Sequence, residues 1–282
     1  MLHASPKPDY PVVSRYPEGF PEGTHWYEVG PEGAPVLVLV HGYLAQAMAW
    51  RFVVAELSKH WRVLVLDLPG HGLDRSFKGI APTIVSLSHW LETIVRELES
   101  RHGRVDVVAH SLGALMAGMA DFNSGRYVLA SPGMRLPRAP GAPEIISRLP
   151  PGLNRLVAHQ VTLRLFEPLQ WEHARMSRDE RKTYMEPLKE RDRIKFLIDL
   201  GADLLREPDR LKYLKPKTNL LFLWGEKDPM LPLKDAILLR EAYDGAVLHV
   251  LEGAGHALME DYPGPFLEHV LDHLLYTKLT TK

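Results

Sequence analysis

Ser111, Asp228 and His256 are the residues of this 282-residue chain whose types, order and settings could together do chemistry. A serine hydroxyl is a poor nucleophile until a base takes its proton, and an imidazole base needs a carboxylate to fix its tautomer and balance its charge. Such a set performs acyl transfer. Each candidate follows a short apolar run: Ser111 closes VDVVAHS, Asp228 lies in GEKDP after LLFLW, and His256 lies in EGAGH after VLHVL. An aspartate before proline is also a common turn starter, so Glu226 and Asp121 compete with Asp228 for the carboxylate role.

The serine sits in a stretch that organises the chain. Val105 to Ala117, VDVVAHSLGALMA, reads as strand, sharp turn and helix, with small residues two before and two after Ser111. Those small residues let strand and helix approach while the backbone is strained at the serine, as in the G-x-S-x-G elbow, with Ala109 replacing the first glycine. The turn lifts the hydroxyl out of a sheet and aims a helix N-terminus at any negative charge that forms beside it. His41-Gly42-Tyr43 follows the run VLVLV. The backbone N–H groups of Tyr43 and Leu112 are the expected oxyanion donors. The side chains of Tyr43 and His41 are the candidate substrate contacts, with a hydrogen-bonded loop brace as the plainer role for His41 and also for His71. His110 is expected to pack beside the elbow, and Asp67 to brace the turn DLPGHG.

These positions need a parallel sheet to hold them. Val36 to Val40, Arg62 to Leu66, Val105 to His110, Tyr127 to Ala130, Leu220 to Trp224 and Val247 to Leu251 are predicted strands. Helical patterns at Trp50 to Leu57, Thr83 to Leu98, Leu233 to Ala242 and Phe266 to Leu275 alternate with them. His25 to Val29 suits an edge strand, and the proline-punctuated residues before it suit an irregular arm or a lead-in to an edge strand. The alternation predicts an α/β fold with a doubly wound, mostly parallel sheet. Pro132 interrupts it. From Gly133 to about Tyr213 the sequence offers loops and helices only, including Leu153 to Phe166 and Ile194 to Leu205. The expected organisation is a core of residues 1–132 and 214–282, with residues 133–213 as a helical cap between the elbow half and the acid strand. The charged run Trp171 to Lys195 is expected to be a solvated surface.

Composition narrows the function. The chain is 45% hydrophobic and 24% charged, with a formal net charge of -1 and no cysteine. That balance argues against nucleic acid or an anionic membrane surface as partner, and no thiol chemistry is open to it. No apolar run reaches the roughly twenty residues a bilayer crossing needs, and no secretory signal pattern opens the chain. The expectation is a cytoplasmic monomer or homodimer acting on a small molecule.

The motifs LVLVHGY, LDLPGHGLDRS, VAHSLGA, LFLWGEKDPMLP and GAGHALMED resemble those of the α/β-hydrolase superfamily, from His25 to Leu275. The match is most like the capped branch that holds esterases, lactonases, dehalogenases and epoxide hydrolases. The resemblance implies a cap that shapes substrate entry and no metal or organic cofactor. It also implies that Ser111 excludes the dehalogenase and epoxide hydrolase chemistries, which use an aspartate at the elbow. Hydrolysis of an ester, lactone or thioester is the expected reaction. Carbon–carbon bond hydrolysis, aminopeptidase or perhydrolase activity, and ligand binding without catalysis, stay open, although the HGGPG and SNAFG patterns of two such relatives are absent.

Overall fold

The computed structural model describes residues 7–122, 125–134, 177–207 and 209–276. Its strands are β1 (Val13–Arg15), β2 (His25–Val29), β3 (Val36–Val40), β4 (Arg62–Asp67), β5 (Val105–His110), β6 (Tyr127–Ala130), β7 (Leu220–Gly225) and β8 (Val247–Leu251). They form one sheet in the order β1-β2-β4-β3-β5-β6-β7-β8. Strands β1, β2 and β4 pair antiparallel, and every pairing from β4 through β8 is parallel.

The continuous apolar runs are explained by burial on both faces. Along β3, Val36, Val38 and Val40 enter one hydrophobic core while Leu37 and Leu39 enter the other. A strand alternates its side chains between faces, so a strand covered on both sides favours apolar residues at every position. The first core takes its helical partners from α2 (Ile84–His102) and α3 (Leu112–Met119). The second takes Leu57 of α1 (Val54–Leu57).

Between β6 and β7 the described residues hold α4 (Arg178–Met185) and α5 (Arg191–Arg206). A capping box starts α4: Ser177 accepts from the Glu180 backbone, and the Glu180 carboxylate accepts from that of Ser177. Helix α5 buries Phe196, Leu197, Leu200 and Leu204 in the first core. The stretch predicted helical at 153–166 lies outside the described residues. Helices α6 (Leu233–Ala242), α7 (Leu258–Asp261) and α8 (Pro263–Leu271) follow in the later part of the described residues.

Several local expectations change in the folded molecule. Strand β2 is not an edge: it is paired to β1 on one side and β4 on the other, and the arm expected to be irregular or to lead into an edge strand supplies the edge strand β1 itself. The helix expected over Trp50 to Leu57 divides into a 3-10 turn at Ala47–Trp50 and the short α1. The closing helix begins earlier, at Pro263, and ends in a π turn at Asp272–Tyr276. The charged run is not wholly solvated either. Arg193 is 1% exposed, and one of its Nη groups donates to the His71 carbonyl at 3.3 Å.

Candidate active site

Ser111 stands between β5 and α3 with φ 52° and ψ −113°, a left-handed conformation that costs a non-glycine residue energy. Its surroundings hold it there. Its N–H donates to Ala130 at 2.9 Å, and its carbonyl accepts from Leu115 at 2.9 Å and Gly133 at 3.2 Å. A β-carbon on Gly113 would come within 2.5 Å of the His41 carbonyl and 2.6 Å of that of Val40, so only glycine lets the first turn of α3 lie against the end of β3. A β-carbon on Gly42 would lie 3.0 Å from that of Ser111, which shows how closely the loop after β3 approaches the serine. Leu44 (φ 57°) and Ser131 (φ 41°), in the segments after β3 and β6, are also left-handed, as is Asn219 (φ 51°) just before β7.

Two later loops bring the other groups. The Ser111 hydroxyl lies 3.0 Å from Nε2 of His256, whose Nδ1 lies 2.7 Å from Oδ2 of Asp228. The other Asp228 oxygen accepts from the Met230 and Leu231 backbone at 2.9 Å each. Burial alone would raise the proton affinity of this carboxyl. The His256 ring and the two backbone donors outweigh burial and hold its pKa below the ordinary aspartate value. Nδ1 must then carry the proton that faces Asp228, and Nε2 is left to accept from Ser111.

Neither competing carboxylate reaches His256 through a hydrogen bond. Glu226 accepts from the Gly253 backbone at 2.9 Å and so ties the Asp228 loop to the His256 loop. The Glu226 and Lys227 backbones add bonds to Leu251 and Ala254. Asp121 is exposed and pairs with Arg96 at 3.2 Å.

His41, a candidate substrate contact with a loop brace as its plainer role, has the geometry of the brace. It is fully buried, Nδ1 donates to the Gly42 carbonyl at 2.7 Å, and Nε2 accepts from the Leu68 backbone at 3.0 Å. With both nitrogens engaged and no surface open, it braces the β3 and β4 loops against each other. Burial lowers its pKa to about 4, which keeps it neutral. His71 is the same kind of brace: Nδ1 donates to the Pro69 carbonyl and Nε2 accepts from the Leu44 backbone. Tyr43 sends its hydroxyl to the Leu197 carbonyl of α5 at 2.6 Å, joining the loop beside the serine to that helix.

The role of His110 was not readable from sequence beyond its place at the elbow. Its Nε2 donates to the His256 carbonyl at 2.9 Å, and the two rings lie 4.7 Å apart. Burial, then the neighbouring His256, lowers its pKa to about 3. A neutral ring thus fixes the backbone of the histidine that faces Ser111. The only local signal was its position immediately before the serine.

The alpha/beta hydrolase family model matches residues 37–269. The chain belongs to the alpha/beta hydrolase family. It is 25% identical over 256 residues to the pimeloyl-[acyl-carrier protein] methyl ester esterase of Pectobacterium carotovorum, covering 88% of this chain and 97% of that one. The enzyme of the same name from Aeromonas salmonicida is 27% identical over 248 residues, covering 84% and 94%. Among solved structures, carboxylesterase CesB from Bacillus subtilis matches with a TM-score of 0.64 at 17% identity, covering 96% of this chain and 93% of that one. A haloalkane dehalogenase loop variant from Bradyrhizobium elkanii matches with a TM-score of 0.67 at 16% identity, covering 93% and 95%. One scaffold therefore carries different named activities, and the choice among them rests on the site.

Proposed function

We propose that this hydrolase cleaves a carboxylic ester, lactone or thioester through an acyl-enzyme on Ser111. The observation that carries the reading is the unbroken hydrogen-bonded path from Ser111 through His256 to Asp228. In the forward step the Ser111 oxygen bonds to the substrate carbonyl carbon and its proton passes to Nε2 of His256. Asp228 steadies the imidazolium that results. The tetrahedral intermediate then collapses, and the leaving alcohol or thiol takes the proton from His256. Water, activated by the same imidazole, releases the acid.

Backbone N–H groups of Tyr43 and Leu112 stabilise the developing oxyanion in this reading. Its support is the placement of Leu112 at the first position of α3 and the close approach of Gly42 to Ser111. Residues 133–213 act as the cap, for which the bonds from Tyr43 to Leu197 and from Arg193 to His71 are the supporting contacts. In this reading the natural substrate is a small molecule with an ester-type bond, on whose carbonyl the donors, base and nucleophile act. The methyl ester esterase relatives favour an oxygen ester among the three classes.

The test is a panel of esters, lactones and thioesters of graded acyl length, with the site of a fluorophosphonate adduct located by peptide mapping. Turnover of at least one class, and an adduct on Ser111, are expected. A folded protein that hydrolyses none of them and takes no adduct on Ser111 overturns the reading.

A further inference from the structure

The antiparallel end of the sheet carries another serine, imidazole and carboxylate in series. The Ser14 hydroxyl lies 2.8 Å from Nε2 of His25, and Nδ1 of His25 lies 2.9 Å from Oδ2 of Asp67. Sheet register sets this arrangement. Ser14 of β1 is opposite Tyr27 of β2, His25 is two residues before Tyr27 on the same face, and His25 is itself opposite Asp67 of β4. Residues opposite or diagonal on one face of an antiparallel pair are neighbours, so three strands place three side chains in a row.

We propose that Ser14 is a second activated serine, an acceptor for small acylating or phosphonylating electrophiles, with His25 as its base and Asp67 as the group that orients the base. Asp67 also accepts from the Ala47 and Leu73 backbones at 2.9 Å each, so its carboxylate is held in place. A carboxylate can only accept, so the Nδ1 proton points to Asp67 and Nε2 accepts the Ser14 proton. His25 is fully buried, with the rings of Tyr16 and Tyr27 at 5.0 and 4.8 Å, while Ser14 is exposed. The base is thus fixed and dry, and the nucleophile faces the solvent that delivers the electrophile. In the step, the Ser14 oxygen bonds to the electrophilic carbon or phosphorus, its proton passes to His25, and the phenolate or fluoride leaves.

Ser14 lies in an extended strand rather than at a helix N-terminus, so its reaction should be slower than that of Ser111. Loss of one oxyanion donor alone costs about 100- to 1000-fold. The experiment treats Ser111→Ala protein with excess fluorophosphonate and maps adducts by mass spectrometry over time. One adduct on Ser14 is expected, forming at least about tenfold faster than on any other serine, the margin expected when an oriented general base assists. It should disappear in the Ser14→Ala, Ser111→Ala double variant. It should also fall at least tenfold when His25→Gln is combined with Ser111→Ala. Should His25→Gln not fold, Ser111→Ala protein unfolded in urea before labelling replaces it, and the preference for Ser14 should vanish there. No adduct on Ser14, or equal labelling across surface serines in the folded protein, overturns the proposal. The two readings separate cleanly: an adduct on Ser111 but never on Ser14 defeats only this one, and the reverse pattern defeats only the acyl-enzyme.

Discussion

The Ser111 and Ser14 regions place the same three residue types in the same order of contact, yet build them differently. Around Ser111 the groups come from loops at the carboxyl ends of parallel strands, and the serine backbone is left-handed with a helix starting at the next residue. Around Ser14 they come from adjacent antiparallel strands, and the pleat alone aligns them. The difference separates two components of nucleophilic catalysis. A base relay needs only hydrogen-bond distances, which a sheet supplies, whereas charge stabilisation needs donors aimed at a point outside the sheet, the role proposed for the strained turn and helix. Turnover is accordingly expected from the first region and stoichiometric capture from the second.

The strongest way to break the comparison is Ser111→Ala. Turnover of p-nitrophenyl acetate should fall by about 10⁶-fold, the scale set by nucleophile removal in a serine protease. Ser14→Ala should leave turnover within about twofold, because no step of the reaction uses that hydroxyl. Steady-state turnover that survives Ser111→Ala and vanishes on adding Ser14→Ala would reverse the two roles. Asp228→Asn comes next, with a fall of about 10⁴-fold in kcat from loss of the productive tautomer. Glu226→Gln should cost only a few-fold, since Glu226 ties loops together; the opposite ranking would move the orienting role.

A smaller effect is expected from His110→Ala. Without the bond to the His256 carbonyl the base shifts by a fraction of an ångström, and kcat should fall by about 10- to 100-fold with KM nearly unchanged. A rise in KM at constant kcat would show that His110 acts on substrate binding instead.

The mildest prediction concerns the carboxylates of the two regions. Asp228 is held below its ordinary pKa, whereas burial raises Asp74, beside His25, to about 7 despite bonds from Ser76. A carboxyl whose folded pKa lies above its unfolded value contributes stability fully below the ordinary range, and that contribution is lost as pH rises through about 7. For Asp228 the sign is opposite: its contribution is present above the ordinary range and lost as pH falls. Asp74→Asn should therefore raise Tm relative to the parent by a few degrees at pH 8 and by progressively less toward pH 4. A Tm difference independent of pH would remove the assignment.

Legibility from sequence followed the range of the interaction. The strands β3 and β7 were readable because burial on both faces writes an unbroken apolar run, and β5 because its branched apolar residues run into the small-residue turn at Ser111. The place of β2 inside the sheet was not, because its neighbour β1 is a three-residue strand of exposed residues in a proline-rich arm. Helix α2 was legible from its stripe, but not its ends: Thr83 caps it, with its side chain accepting from Ser86, and the helix runs on to His102. His41 and Tyr43 were correctly placed in the loop after β3, but their partners were not: Leu68 and Leu197 lie 27 and 154 residues away. The Ser14 set left no mark in sequence at all, since a serine, a histidine and an aspartate on three strands form no motif.

Sequence by itself determined the strand, sharp turn and helix around Ser111, the runs that become the parallel sheet, and the order in which serine, aspartate and histidine follow those runs. These depend on residues next to one another, whose small size, branching or polarity sets the local backbone. Only the tertiary structure decided that Asp228 rather than Glu226 faces His256, that His41 is closed off, and that Ser14 meets a buried imidazole. Such pairings join groups 11 to 28 residues apart on different strands and loops. They are set by how strands register and loops pack, which no single stretch of the chain encodes.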